Sequence, residues 1–203
     1  MTGRSGRRVR RDGLPAVILF LLAPFGALAF ALGAHPAGLI DSGEEIRARV
    51  ETWREPAAEA ALRAGVPVDL LLALVATESS GRPGAVSPAG AVGLTQLLPG
   101  TARGEAARLG LPSPGTLDIA QPEVNLLLGA RFLADQILTF DGDVALALAA
   151  YHSGPGLPAR WRRASPGSSG LDLVRTHATP RTRAYVERVL ERRAWFAESP
   201  SPR

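Results

Sequence analysis

The stretch LLLALVATESSGRPGAVSPAGAVGLTQLLPGTA, Leu70 to Ala102, decides how this chain is read. Seven apolar residues, Leu70 to Ala76, lead to Thr77 and a single acid, Glu78. An unbroken apolar run on a helix predicts burial on most sides. A carboxylate at the end of such a helix loses hydration, so its pKa rises and it keeps a proton near neutrality, ready for a leaving oxygen. The bland alternative is a surface pair between Glu78 and Arg82 at i+4. The hydroxyls of Thr77, Ser79 and Ser80 and the amides of a Gly-rich loop are expected to orient the acid. Residues 80–91 read as that loop, from Ser80-Gly81, Pro83-Gly84, Pro88 and Gly90. Gly93 to Leu98 predicts a short helix, and Pro99 opens another that runs to about Leu109.

Outward from this stretch the pattern is helical. Ser42 followed by Glu45 is a capping box and opens a helix through about Arg54. Pro56 and Gly65 bracket a short second helix. Asp69 falls in the first turn of the third, where the helix dipole favours an acid. Residues 111–121 read as an irregular connection, and Pro122 starts a long helix to about Leu138. A turn at Asp141-Gly142-Asp143 precedes a helix over 144–152, ended by Ser153-Gly154-Pro155-Gly156. Arg160 to Arg163 reads as one helical turn, Ser165 to Gly170 as a flexible link, and 181–196 as a last helix packing Tyr185, Val186, Val189, Leu190 and Trp195. No stretch alternates with period two, so the expected fold class is all-α with little or no sheet.

Composition excludes several chemistries. The 203 residues suffice for one domain and a leader. There is no Cys, which removes disulfides, thiolate metal sites and a cysteine nucleophile. The three His (His35, His152, His177) are too dispersed for a metal site, and without Lys there is no lysine-bearing phosphate loop. Ser79 lacks a nucleophile-elbow motif. No metal and no cofactor are expected. The net charge is +4 and the cationic residues are all arginines, part of them in the leader and in a block from Arg160 to Arg193. That block reads either as a solvated helix face or as a surface for an anionic polymer. Aromatics interleaved for base stacking are largely missing, so nucleic acid is not the expected partner.

Residues 1–13 carry five Arg, and residues 14–34 carry no charge. This predicts an apolar leader helix, as a cleaved signal peptide or an uncleaved anchor in the cytoplasmic membrane. Either delivers the chain after about residue 35 to the far side of that membrane. A second carboxylate for ordinary glycoside hydrolysis would come from Asp118, Glu123, Asp141 or Asp143. Each sits at a helix start or a turn, and none follows an apolar run like that before Glu78.

Taken together, Glu78-Ser79, then Pro83, Ala85, Ser87, Gly90-Ala91 and Gly93-Leu94-Thr95-Gln96, then Pro99 and Thr101-Ala102, form a spaced pattern. Asn125 and Gly129, the block Ala150-Tyr151-His152-Ser153-Gly154-Pro155-Gly156, and Thr182 with Tyr185-Val186 extend it. Over residues 55–195 the chain resembles the soluble-lytic-transglycosylase (SLT) type of peptidoglycan lytic transglycosylase domain, with a lysozyme-like α fold. The resemblance implies cleavage of the β-1,4 bond between N-acetylmuramic acid and N-acetylglucosamine without water, leaving a 1,6-anhydro sugar. It implies Glu78 as single acid/base, with substrate assistance in place of a second carboxylate. Ser87 and Gln96 would bind the saccharide, and Tyr151 would contact Glu78 or the sugar. Ser79, Leu98 and His152 would line the site, with Asn125 structural. The implied partner is the peptidoglycan glycan strand, outside the cytoplasm in the periplasm. A monomer is expected, and an envelope-spanning assembly is a further partner the sequence leaves open. The division expected is a leader to residue 36, a lead-in helix over 37–54, a catalytic domain over 55–197 and a tail over 198–203.

Four positions depart from the family pattern. Thr95 and Leu98 stand where Met is usual, which predicts an altered cleft wall. His152 stands for Asn and predicts a titration near neutral pH. Arg181 stands where an acid is frequent. The alternatives are a catalytically weak wall-binding or assembly factor and a hydrolytic muramidase of related fold.

Overall fold

The computed structural model describes residues 41–112 and 115–197. The leader expected over residues 1–36 and the tail from residue 198 lie outside them. The elements run α1 Gly43–Glu51, α2 Arg54–Ala64, α3 Val68–Glu78, α4 Pro99–Arg108, α5 Thr116–Ala120, α6 Pro122–Thr139, α7 Val144–Ser153, α8 Gly156–Ala164, α9 Gly170–His177 and α10 Pro180–Ala197. The described residues contain no strand, only two isolated bridges, Val86 with Val92 and Val92 with Leu97. The expected all-α class is what the chain forms. No single helix among the described residues is long and apolar enough to cross a membrane.

Local signals account for most helix ends. Ser42 Oγ accepts from Glu45 N–H and the Glu45 carboxylate accepts from Ser42 N–H, the full capping box. Gly65, with φ 74°, stops α2 in the left-handed conformation that glycine adopts without a Cβ penalty. Asp143 caps α7 through Leu146 N–H.

The helix α3 is the axis of the molecule. Leu70 through Ala76 are fully buried, and each large side chain among them contributes about 2 kcal/mol from burial. Helices α10, α2 and α1 sheathe it. Three side chains of α10 reach across to α3: Arg193 to Asp69 at 2.6 Å, Arg192 to the carbonyl of Ala76, and Tyr185 to Glu78. The Ala76 carbonyl belongs to the last turn, whose acceptors have no partner within the helix.

The described residues form two apolar cores. The larger joins α1, α2, α3, α6, α7, α9 and α10. The smaller is built from Val92, Leu97, Ala102, Ala106, Ile119 and Leu128. It holds the loop after α3, with α4 and α5, against α6. Tyr151 packs against both cores and marks their seam.

Four local expectations are corrected. Residues 93–98 form turns rather than a helix, because Gly93 and Gln96 both adopt positive φ, 83° and 49°. The connection 111–121 contains α5. The turn expected at Arg160–Arg163 belongs to the longer α8, and the link after it leads into α9, a helix the apolar pattern did not announce. Helix α9 is two turns long, with Leu173 and Val174 buried, too short for periodicity to stand out.

Candidate active site

Glu78 is the last residue of α3. It is partly buried, and its Oε1 accepts a 2.6 Å hydrogen bond from the Tyr185 hydroxyl. Burial raises its pKa from 4.5 to about 7, and the Tyr185 bond partly opposes that rise. The carboxylate also faces the negative end of its own helix, which disfavours charge in the same sense. Glu78 is therefore an acid that exchanges its proton around neutrality. The surface-pair alternative is not what Glu78 adopts: its carboxylate is partly buried and bonded to Tyr185, and no arginine acts on it among the described residues.

The neighbouring hydroxyls do something other than orient the acid. Thr77 Oγ1 donates back to Ala73 O at 2.9 Å. Ser79 is fully buried and donates to Leu94 O at 2.8 Å. A buried hydroxyl committed to a carbonyl is closed to a sugar, so Ser79 supports the loop rather than lining the site. Ser80 contributes its carbonyl to Arg49.

The loop 85–97 is held from four directions. Ser79 fixes it to α3. From α6, Asn125 Oδ1 accepts from both the N–H and the hydroxyl of Thr95, at 2.8 Å each. Its Nδ2 donates to Val92 O at 2.9 Å and Ile119 O at 3.0 Å, so Asn125 is a structural clamp. From α7, the Tyr151 hydroxyl donates to Thr95 O at 2.8 Å. Within the loop, Gln96 Nε2 donates to Ala85 O at 3.0 Å and Gly93 O at 2.9 Å. Gln96 sits at positive φ, which costs a non-glycine residue about 1 kcal/mol. Its two amide bonds hold it there, and its Oε1 accepts from no described residue. The clamp requires close approach: a Cβ on Gly93 would lie 2.3 Å from Asn125 Nδ2, and one on Gly129 would lie 2.3 Å from Thr95 Oγ1.

Ser87 stands half-exposed in the turn 87–91, where its Oγ accepts from Ala91 N–H at 3.0 Å. Its own proton is bonded to no described residue. Leu98 is half-buried at the N-cap of α4. Tyr151 packs its ring on Phe132, 4.9 Å between centroids.

Three expectations change here. The tyrosine bonded to Glu78 is Tyr185; the Tyr151 hydroxyl bonds the loop at Thr95 O, which leaves the sugar as the other contact expected of it. Thr95 is fully buried against Asn125 and Gly129, so it does not face the cleft. His152 does not titrate near neutrality. Burial, aided by the charge of Arg181, pushes its pKa down to about 4. Its ring stacks on Tyr185 at 4.2 Å and 19°. Tyr185 was legible only as a packing residue of the last helix, although its place in the terminal Thr182/Tyr185-Val186 pattern was a signal.

The candidate second acids are engaged elsewhere. Asp118 accepts from Gly115 N–H, Glu123 lies in the first turn of α6, Asp141 is in a turn, and Asp143 caps α7 and pairs with Arg162. No carboxylate among the described residues perturbs Glu78.

Residues 55–172 match the family described as Transglycosylase SLT domain, over more than half of the chain. The chain belongs to the SLT domain family. The soluble lytic murein transglycosylase of Escherichia coli K12 is 33% identical over 135 residues, covering 64% of this chain and 21% of that protein. The endo-type membrane-bound lytic murein transglycosylase A of Klebsiella pneumoniae is 38% identical over 88 residues, 42% of this chain and 43% of that one. Among solved structures, an inactive Glu-to-Gln mutant of lytic transglycosylase Slt from Pseudomonas aeruginosa superposes with a TM-score of 0.68 at 31% identity, covering 73% of this chain and 25% of that one. This SLT chain thus spans about a fifth of the length of the first curated relatives it matches. The shared part holds Glu78, the clamped loop and Tyr151. Tyr185 lies beyond residue 172, outside the matched SLT segment.

Proposed function

We propose that this SLT chain is a peptidoglycan lytic transglycosylase, with Glu78 as its single acid/base. The observation that carries this is Glu78 itself: a partly buried carboxyl poised near neutrality, held by one phenol, with no second carboxylate among the described residues acting on it. An acid that must first give and then take a proton works best when its pKa is near the working pH. In the proposed reaction Glu78 protonates the oxygen linking N-acetylmuramic acid to N-acetylglucosamine, and the C1–O bond breaks. The substrate's N-acetyl oxygen stabilises C1. The Glu78 carboxylate then removes the proton of the muramoyl C6 hydroxyl, and that oxygen closes on C1 as the 1,6-anhydro ring. Glu78 ends protonated as it began, and no water is consumed. Ser87 and the free Oε1 of Gln96 offer a hydroxyl donor and a rigid acceptor to the glycan.

The known relatives support this reading as lytic murein transglycosylases, and the inactive mutant of the Pseudomonas aeruginosa relative carries Gln for Glu. Activity outside the cytoplasm, where that polymer lies, follows from the proposal, with residues 14–34 as signal or anchor. The test is digestion of purified sacculi with native protein and Glu78→Gln, read by mass spectrometry. Anhydro-muropeptides from the native protein alone are expected. Products one water heavier would make the chain a muramidase, and no product from the native protein would make it a binding factor.

A further inference from the structure

Helix α10 places Arg181 and Tyr185 four residues apart, on one face. The His152 ring of α7 lies stacked on Tyr185, 4.2 Å between centroids. The Tyr185 hydroxyl in turn holds Glu78 at 2.6 Å. A line of groups therefore runs from the imidazole, through the phenol, to the acid, with the exposed Arg181 one helical turn before the phenol. We propose that the His152 ring is a positioning residue for Glu78, acting through the Tyr185 phenol on which it stacks, with Arg181 as a second, smaller influence on the ring.

The stack restrains the phenol ring on one face, and the hydroxyl at its tip meets Glu78. Loss of the ring would leave Tyr185 free to tilt and would lengthen the bond that aims the acid. The charge of the ring matters as much as its shape. An imidazolium against Tyr185 would favour the ionised form of Glu78 and draw its proton off at lower pH. A neutral imidazole leaves the acid protonated to about pH 7. Arg181 opposes protonation of His152 in the same sense as burial does. A carboxylate at position 181 would act in the opposite sense and favour the charged ring. The two departures from the family pattern thus bear on one ring: burial keeps His152 neutral beside Tyr185, and the positive charge at position 181 adds to that effect.

The titratable and charged groups around the ring are Arg181 and Tyr185 from α10, Tyr151 beside it on α7, and Glu78 of α3 beyond the phenol. Among the described residues no charge from α6, α8 or α9 acts on it. Neither ring nitrogen is buried without a partner.

This inference rests on the reading of Glu78 as the acid, and its first test does not. The His152 ring is titrated by nuclear magnetic resonance in the substrate-free native protein and in Arg181→Glu. Native His152 stays neutral to below pH 5, and its midpoint rises by about one unit or more in the variant. An unchanged midpoint overturns the role of Arg181. Arg181 is exposed, so its replacement leaves the packed fold in place, which circular dichroism confirms before titration.

The second test reads muropeptide release. For the bracing role, His152→Ala lowers kcat about tenfold at unchanged KM and His152→Phe restores most of it. Native kcat in the Ala variant overturns that role. A His152 midpoint that rises in Arg181→Glu, alongside a native protein that releases no muropeptide, would sink the Glu78 reading while leaving the effect of Arg181 on the ring intact.

Discussion

The Tyr185 hydroxyl donates a 2.6 Å hydrogen bond to Glu78 Oε1 across 107 positions of sequence. Among the described residues it is the one side chain that lowers the proton affinity of an acid otherwise raised by burial. Tyr185→Phe keeps the ring and its stack on His152 and removes only the hydroxyl. The pKa of Glu78 then rises further, so the alkaline limb of the rate profile moves to higher pH. The maximal rate falls about tenfold because the acid loses its orientation. Muropeptide release measured from pH 5 to 9 reads both effects.

Glu78→Gln keeps the shape of the side chain and cannot exchange a proton. We expect a loss of about 1000-fold or more in product release, with the helical spectrum intact. Residual activity within tenfold of native would remove Glu78 from the centre of the chemistry.

Stability should carry opposite signatures of Glu78 and His152. Glu78 titrates at 4.5 unfolded and about 7 folded. The native state keeps a proton that the unfolded chain has lost, so this group's contribution to stability falls as pH rises from 4.5 to 7. The full cost above pH 7 is at most about 3 kcal/mol. His152 titrates at 6.5 unfolded and about 4 folded. Here the unfolded chain holds the extra proton, so stability is lost as pH falls from 6.5 to 4. Thermal melts should show Glu78→Gln gaining most over native at pH 8, and His152→Asn gaining most at pH 4.

The clamp on the loop should be costly to break. Asn125→Ala removes four hydrogen bonds, strips the Thr95 amide and the Ile119 carbonyl of their side-chain partner in the interior, and leaves the Val92 carbonyl with Leu97 N–H alone. Urea unfolding should lose about 2–4 kcal/mol. Gly129→Ala should lose about 1–3 kcal/mol, because its Cβ meets Thr95 Oγ1 at 2.3 Å. Both variants should lose activity further than stability explains, since the same loop carries Gln96 and Ser87.

Sequence alone determined the helical class, the buried α3 and the acid at its end. These are properties of neighbours along the chain: an apolar run long enough to forbid exposure, capping residues at fixed offsets, and one carboxyl where burial raises its pKa. It also placed Asn125 as structure rather than ligand. Tertiary structure decided which side chains face one another. The tyrosine that touches Glu78 comes from α10 and not from α7, and Thr95 turns inward to Asn125 instead of toward the cleft. Periodicity records which face of a helix is buried and not what it meets. The charge of His152 was likewise invisible, because burial and Arg181, 29 positions away in the sequence, act on it only once α10 has packed against α7.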